Sequence, residues 1–175
     1  TEREATLALL QMDQHIDLII PRGGAGLHAF CRRESRIPVI TGGIGICHLY
    51  VDAAADLARA LPVIRNAKVQ RPTVCNALDT VLVHRAVAER FIPALVADLA
   101  ALGVSFRCDP ASLPLARAAD PSALPAGPED FDTEWLALIL GICVVDDADV
   151  AMRHIEAHSS GHSDGILTAN AVLAE

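Results

Sequence analysis

The run LALILGICVV, residues 136–145, carries no charge and no alternation of polar with apolar positions. At about half the ~20 residues that cross a bilayer, it is too short for a membrane helix. It predicts instead a strand buried on both faces, the kind found in parallel sheets covered by helices on either side. Five further runs read as strands: IDLII (16–20), IPVI (37–40), ICHLYV (46–51), LDTVLV (78–83) and VSFR (104–107), with a short ILT (166–168) at the end. Helical patterns lie between them. Residues 3–13 place Ala5, Leu9 and Met12 on one face, and HAFCRRE continues a second helix. Asp52 is the expected N-cap of a third, with Leu57, Leu61 and Ile64 in helical register. Val87, Phe91, Leu95, Leu99 and Leu102 mark the inner face of a long fourth helix. Pro62 and Pro93 should divide their helices, and Gly103 should end the fourth. Asp146 is expected to cap a last helix reaching Ala157. Residues 109–129 contain five prolines and read as a surface excursion with little structure. Strands alternating with helices predict an α/β fold with a largely parallel sheet.

Composition narrows the function classes. Hydrophobic residues make up 52% of the 175, enough for a substantial core. Aromatics are only 3% and the formal charge is −8, which argues against a nucleic-acid surface built on stacking and phosphate contacts. No apolar run is long enough to span a membrane, and the N-terminus TEREATLALL has no signal-peptide pattern. The five cysteines, Cys31, Cys47, Cys75, Cys108 and Cys143, are odd in number and scattered, with no C-x-x-C. That pattern suits a reducing, cytoplasmic compartment rather than a disulfide framework or a four-cysteine zinc site.

Four places carry candidate chemistry, each with a plainer reading beside it. Cys75 follows Lys68 and Arg71, whose charges would favour a thiolate nucleophile, and Asn76 beside it is a possible oxyanion donor. The alternative is a core cysteine next to unrelated surface charges. In IPRGGAGL, a strand runs into Arg22, Gly23 and Gly24 before a helix, a turn whose backbone N–H groups can cradle a phosphate. The spacing is not that of a dinucleotide fingerprint, and a plain strand-to-helix turn fits equally. Glu134 is placed to hold a pair of sugar hydroxyls, or is a solvated loop carboxylate. His154, His158 and His162 have spacing that invites a metal, yet no carboxylate or cysteine ligand accompanies them, so no metal site is assigned.

Taken together, IDLIIPRGGAGLHAFC, RIPVITGGIGICHLYVD, IRNAKVQRPTVCNALDTVLVHR and HSSGHSDGILT resemble gamma-glutamyl phosphate reductases, within the aldehyde dehydrogenase superfamily. The likeness runs in order along essentially the whole chain. It implies an aldehyde dehydrogenase-like catalytic domain over residues 46–175, incomplete at its C-terminus, preceded by the tail of a nucleotide-binding domain over residues 1–45. It implies NADPH-dependent reduction of L-glutamate 5-phosphate to the semialdehyde in proline synthesis, through a thioester on Cys75. Lys68, Arg71 and Asn76 would serve substrate and phosphate; Arg22, Gly23, Gly24 and Glu134 would serve NADPH. Oxidising members carry a glutamate base where this sequence has Ile40, and its absence favours hydride over water as the fate of a thioester. The family reading further implies a homo-oligomer, a dimer or higher, acting on a small acyl phosphate. It also implies that a 175-residue piece would lack turnover by itself. Other acylating aldehyde dehydrogenases, or a non-catalytic assembly module, are the alternatives.

Overall fold

The computed structural model describes residues 2–175. It divides into two units, one ending at Ile44 and the other running from Gly45 to Glu175. In the first, helices α1 (Glu2–Leu10) and α2 (Ala25–Glu34) accompany two extended segments. The face expected to be inward on α1 is not: Ala5, Leu9 and Met12 are exposed, and Leu10 is the buried residue. IDLII and IPVI form no strands of their own. They meet at a single parallel bridge, Ile19 to Val39, and Leu18, Ile20 and Ile40 stay exposed.

The second unit is an α/β sandwich. Its strands are β1 (His48–Val51), β2 (Thr80–His84), β3 (Ser105–Cys108), β4 (Leu124–Pro125), β5 (Ile139–Val145) and β6 (Asp164–Leu167). They form one sheet in the order β4-β3-β5-β2-β1-β6, and every pairing is parallel. Helices α3 (Leu57–Val69), α4 (Arg85–Ala100), α5 (Leu113–Arg117) and α6 (Ala148–His158) make the connections and covers, with a 3-10 turn at Asp130–Asp132. The period-two alternation of a strand then sorts side chains to opposite faces. Val81 and Val83 of β2, with Leu140, Ile142 and Val144 of β5, pack against Phe91, Ile92, Leu95 and Leu99 of α4. Leu82, Tyr50 and Val145 point the other way, onto Ala151 of α6.

Several local expectations give way to tertiary packing. Pro62 and Pro93 leave α3 and α4 undivided. A helix-interior proline costs about 3 kcal/mol, but Phe91, Ile92, Leu95 and Val96 are buried on both sides of Pro93 and hold the helix together. The cap of α3 is Asp56, which accepts from the Ala58 and Arg59 N–H groups; Asp52 bonds Ala54 N–H and the Thr168 hydroxyl instead. The cap of α6 is Asp147, accepting from Val150 N–H at 2.8 Å, while Asp146 pairs with Arg85. Leu102 lies beyond the end of α4 and is exposed, and Gly103 follows with φ +82°. Residues 109–129 are more ordered than their prolines suggested. They hold α5 and β4, and Ser112, Ala116 and Ala123 are buried there.

The histidines of α6 belong to this packing. His154 lies between His48 (ring centroids 5.6 Å apart), Phe131 (5.2 Å) and His158 (4.5 Å). His158 bonds Asp132 at 2.8 Å, and His48 bonds Asp164 at 3.0 Å. No group of metal-ligating residues is present among the described residues. Burial, then the neighbouring His158 and His48, lowers His154 from its ordinary 6.5 to about 4, against weaker pulls from Asp109 and Asp132. Above pH 6.5 the imidazole is neutral folded and unfolded alike. Between 6.5 and about 4 the unfolded chain binds a proton that the folded one refuses, so stability falls with pH. The His154 Nε2 is buried without a hydrogen-bond partner. Replacing His154 with Phe is therefore expected to raise the melting temperature at pH 5 and to flatten its acid dependence, measured by thermal melts from pH 4 to 8.

Candidate active site at the amino ends of the strands

Helix α3 stops where Pro72 removes the next N–H and disfavours helix at Arg71. The chain then crosses to β2 through two successive turns, Val74 N–H to Arg71 C=O at 3.4 Å and Ala77 N–H to Val74 C=O at 3.0 Å. Cys75 rides on these turns and is exposed. Neither its amide N–H nor that of Asn76 is taken up by an acceptor among the described residues. The underside of the loop is held closely. The Cys47 thiol donates to the Cys75 carbonyl at 3.3 Å, and a Cβ built on Gly45 would fall 2.1 Å from that same oxygen. Only a residue without a side chain lets the two backbones approach so far.

The other cysteines differ in environment. Cys31, Cys47 and Cys108 are buried and Cys143 is half-buried. Burial pushes the thiols of Cys47 and Cys108 up to about 11 and that of Cys143 to about 12. Asp79 and Asp164 add to the rise at Cys47. These three are thiols rather than thiolates near neutral pH, so none of them is an available nucleophile.

Of the two cations before Cys75, Arg71 is exposed and Lys68 is not. Lys68 extends the inner face of α3 already occupied by Ala60 and Ile64, and its ammonium donates to the Leu78 carbonyl at 2.8 Å. Burial lowers it from 10.5 to about 8, while Asp79 and Cys47 hold it up. The Lys68 ammonium is thus turned to a backbone carbonyl in the interior, whereas the Arg71 side chain is at the surface. Asn76 is exposed and lines a cavity of about 170 Å³ with Cys47, His48, Leu78, Ser163 and Asp164.

Sequence reasoning passed over Asp79. Its side chain is buried and accepts two backbone N–H groups, Cys47 at 3.2 Å and Trp135 at 3.0 Å. Burial raises it above the usual carboxylate range, against these bonds and the Lys68 charge. The Trp135 bond draws the half-buried Glu134 toward the base of the cysteine loop, close enough for its charge to act on Asp79. Cys75, Asp79, Cys47, Glu134 and Asp164 thus gather at the amino ends of β1, β2, β5 and β6. Open parallel sheets more often bind ligands at their carboxyl ends.

Arg22, Gly23 and Gly24 lie in the first unit and are exposed. Gly24 is the N-cap of α2 with no side-chain cap bond, and a Cβ there would meet nothing within 4 Å. Open space and free N–H groups at a helix start suit an anion.

No family model matches the chain. Among curated proteins, the gamma-glutamyl phosphate reductase of Serratia marcescens is 51% identical over 174 residues, spanning 99% of this chain and 42% of the relative. That of Roseiflexus castenholzii is 54% identical over 177 residues, again 42% of its length. The crystal structure of the Thermotoga maritima gamma-glutamyl phosphate reductase superposes with a TM-score of 0.87 at 42% identity, covering 98% of this chain and 40% of that one. At 18% identity the likeness is one of fold alone. It extends to a propionaldehyde dehydrogenase from Clostridium phytofermentans (TM-score 0.67) and to an engineered glycolyl-CoA reductase with bound NADP+ (TM-score 0.68). The chain therefore spans less than half the length of the curated relatives it matches. In sequence and in fold it is akin to a stretch of about two fifths of the gamma-glutamyl phosphate reductases.

Proposed function

We propose that this chain supplies the thiol-bearing part of a reductase that converts L-glutamate 5-phosphate to L-glutamate 5-semialdehyde, the step the family serves in proline synthesis. The observation that carries this reading is the singular placement of Cys75. It is the exposed cysteine of the five, and its own N–H and that of Asn76 have no acceptor among the described residues. The 51% identity to a gamma-glutamyl phosphate reductase supports the choice of substrate. A cytoplasmic setting and assembly as a homo-oligomer accompany the family reading.

In this reading the Cys75 thiolate attacks the acyl carbon, and phosphate departs with the electron pair of the broken C–O bond. A thioester is left on Sγ. The tetrahedral oxyanion that precedes it is met by the Cys75 and Asn76 N–H groups, donors fixed before the reaction begins. Arg71 meets the departing phosphate as a mobile surface cation, whereas Lys68 stays in the wall. In sequence, Ile40 takes the place of the glutamate base that oxidising members carry, which favours hydride over water as the fate of the thioester. NADPH, when bound, supplies the hydride that takes the thioester to the aldehyde oxidation level. Cys75 then leaves as thiolate and is ready again. Arg22, Gly23 and Gly24 at the open start of α2 fit a cofactor phosphate, and Glu134 fits a ribose hydroxyl pair.

Two measurements test the reading, both in a family-length reductase containing this sequence. Cys75→Ser is expected to lower turnover at least a thousandfold while leaving the melting temperature unchanged, and a variant retaining activity would exclude the nucleophile. Gly45→Ala must shift the Cys75 peptide, since no rotamer relieves a backbone contact. Its kcat is expected to fall tenfold or more, with a matching change in the rate at which iodoacetamide alkylates Cys75.

A further inference from the structure

Lys68 and Asp79 are buried charged side chains on either side of the cysteine loop in sequence, and neither reaches the surface. Lys68 has no exposed surface and Asp79 has 2%. They form no direct ion pair, but each charge favours the other's ionised form. Their hydrogen bonds converge on one place. Lys68 Nζ donates to the Leu78 carbonyl at 2.8 Å, and the Leu78 N–H donates to the Ala67 carbonyl at 3.0 Å. Both polar groups of the Leu78 backbone are therefore fixed to α3. One residue on, the Asp79 carboxylate takes the N–H of Cys47 and the N–H of Trp135, one on each oxygen. The Asp79 main chain adds N–H to the Cys47 carbonyl at 3.0 Å and receives Gly141 N–H at 2.8 Å. Cys47, so held, supports the Cys75 carbonyl through its thiol.

We propose that Lys68 and Asp79 form a buried clamp that sets the position of the Cys75 loop against the Glu134–Trp135 segment, making them positioning residues for the thiol chemistry. The inference rests on the reading of Cys75 as nucleophile. A stabilising role alone explains the arrangement poorly. The two make no direct ion pair, and buried charges gain little net stability over apolar side chains of the same size; what they hold is backbone, at Leu78, Cys47 and Trp135. Here the arrangement fixed is the one that brings Cys75 and Glu134 to the same end of the sheet. The carboxylate is also matched to its task, because it presents two acceptors to two N–H donors. An asparagine presents one acceptor and one NH₂, so one of the two donors must lose its partner.

The test uses Asp79→Asn, Lys68→Met and the pair combined, in a family-length reductase containing this sequence. Lys68→Met alone leaves an unpaired buried carboxylate and is expected to melt lower; the double variant removes both charges and should recover most of that loss. If the pair only stabilises, kcat recovers with the melting temperature. If the pair positions, the double variant stays ten- to a hundredfold below the parent in kcat, with KM for the acyl phosphate within about threefold. Hydrogen exchange at Leu78, Cys47 and Trp135 N–H supplies a readout that needs no turnover. Faster exchange at these amides than the double variant's small residual loss of global stability accounts for is the expected result. Parent-like kcat or parent-like exchange in that variant overturns the clamp. Because exchange is read without substrate, its outcome is separate from that of Cys75→Ser, which bears on the nucleophile alone.

Discussion

A central strand in a parallel sheet must be apolar on both faces, and β2 is where this constraint is tightest. It lies between β5 and β1, and Val81, Leu82 and Val83 have no exposed surface. One face of the strand commits α4 to the sheet, and the other commits the Leu82 side to α6. With its register fixed by two neighbours, β2 cannot slide by one residue without reversing every side chain. The loop that enters it inherits that rigidity. Cys75 stands five residues ahead of Thr80, the first residue of β2, so the sheet's core reaches the thiol through a very short length of chain.

The same geometry explains why the candidate site lies at the amino ends of the strands. At those ends the polypeptide arrives from helix C-termini and loops, and the N–H groups of the incoming segments need acceptors. Asp79 supplies two of them from a buried position. A buried carboxylate without partners would neutralise or destabilise the fold, so the partners and the carboxylate require one another. Gly45 completes the arrangement by subtraction. Its missing side chain is the space that the Cys75 carbonyl occupies.

Much of this was legible in the sequence where the signal was periodic and long. LDTVLV and LALILGICVV became β2 and β5, and the inner face of α4 matched through Leu99. Short apolar runs misled, because IDLII and IPVI carry a strand's composition but form one bridge and leave Ile20 and Ile40 exposed. Caps slipped for another reason. Asp52 and Asp56, and Asp146 with Asp147, are equally good caps by type, and only the docking of the helix decides which side chain faces the free N–H groups. The Cys75 loop could be read, whereas the inward turn of Lys68 was missed despite a usable signal. Ala60, Ile64 and Lys68 share one spacing of four, so the lysine continues an apolar face. Asp79 gave a fainter sign, an acid opening an apolar run, and nothing local distinguishes it from a solvated strand end.

Lys68 and Arg71 are only three positions apart and nearly alike in charge, yet the fold gives them opposite fates. Lys68 is still on helical register, so its direction is set by the face that buries Ile64. Arg71 lies past the end of α3, where the following Pro72 disfavours further helix and the side chain is exposed. A cation in the wall can organise backbone carbonyls but cannot follow a ligand, because moving it would abandon a buried bond. A cation on the surface can follow a phosphate as it leaves, at the cost of ordering a long side chain. The end of one helix thus separates two like charges into a buried and an exposed setting, and Pro72 marks where that change falls.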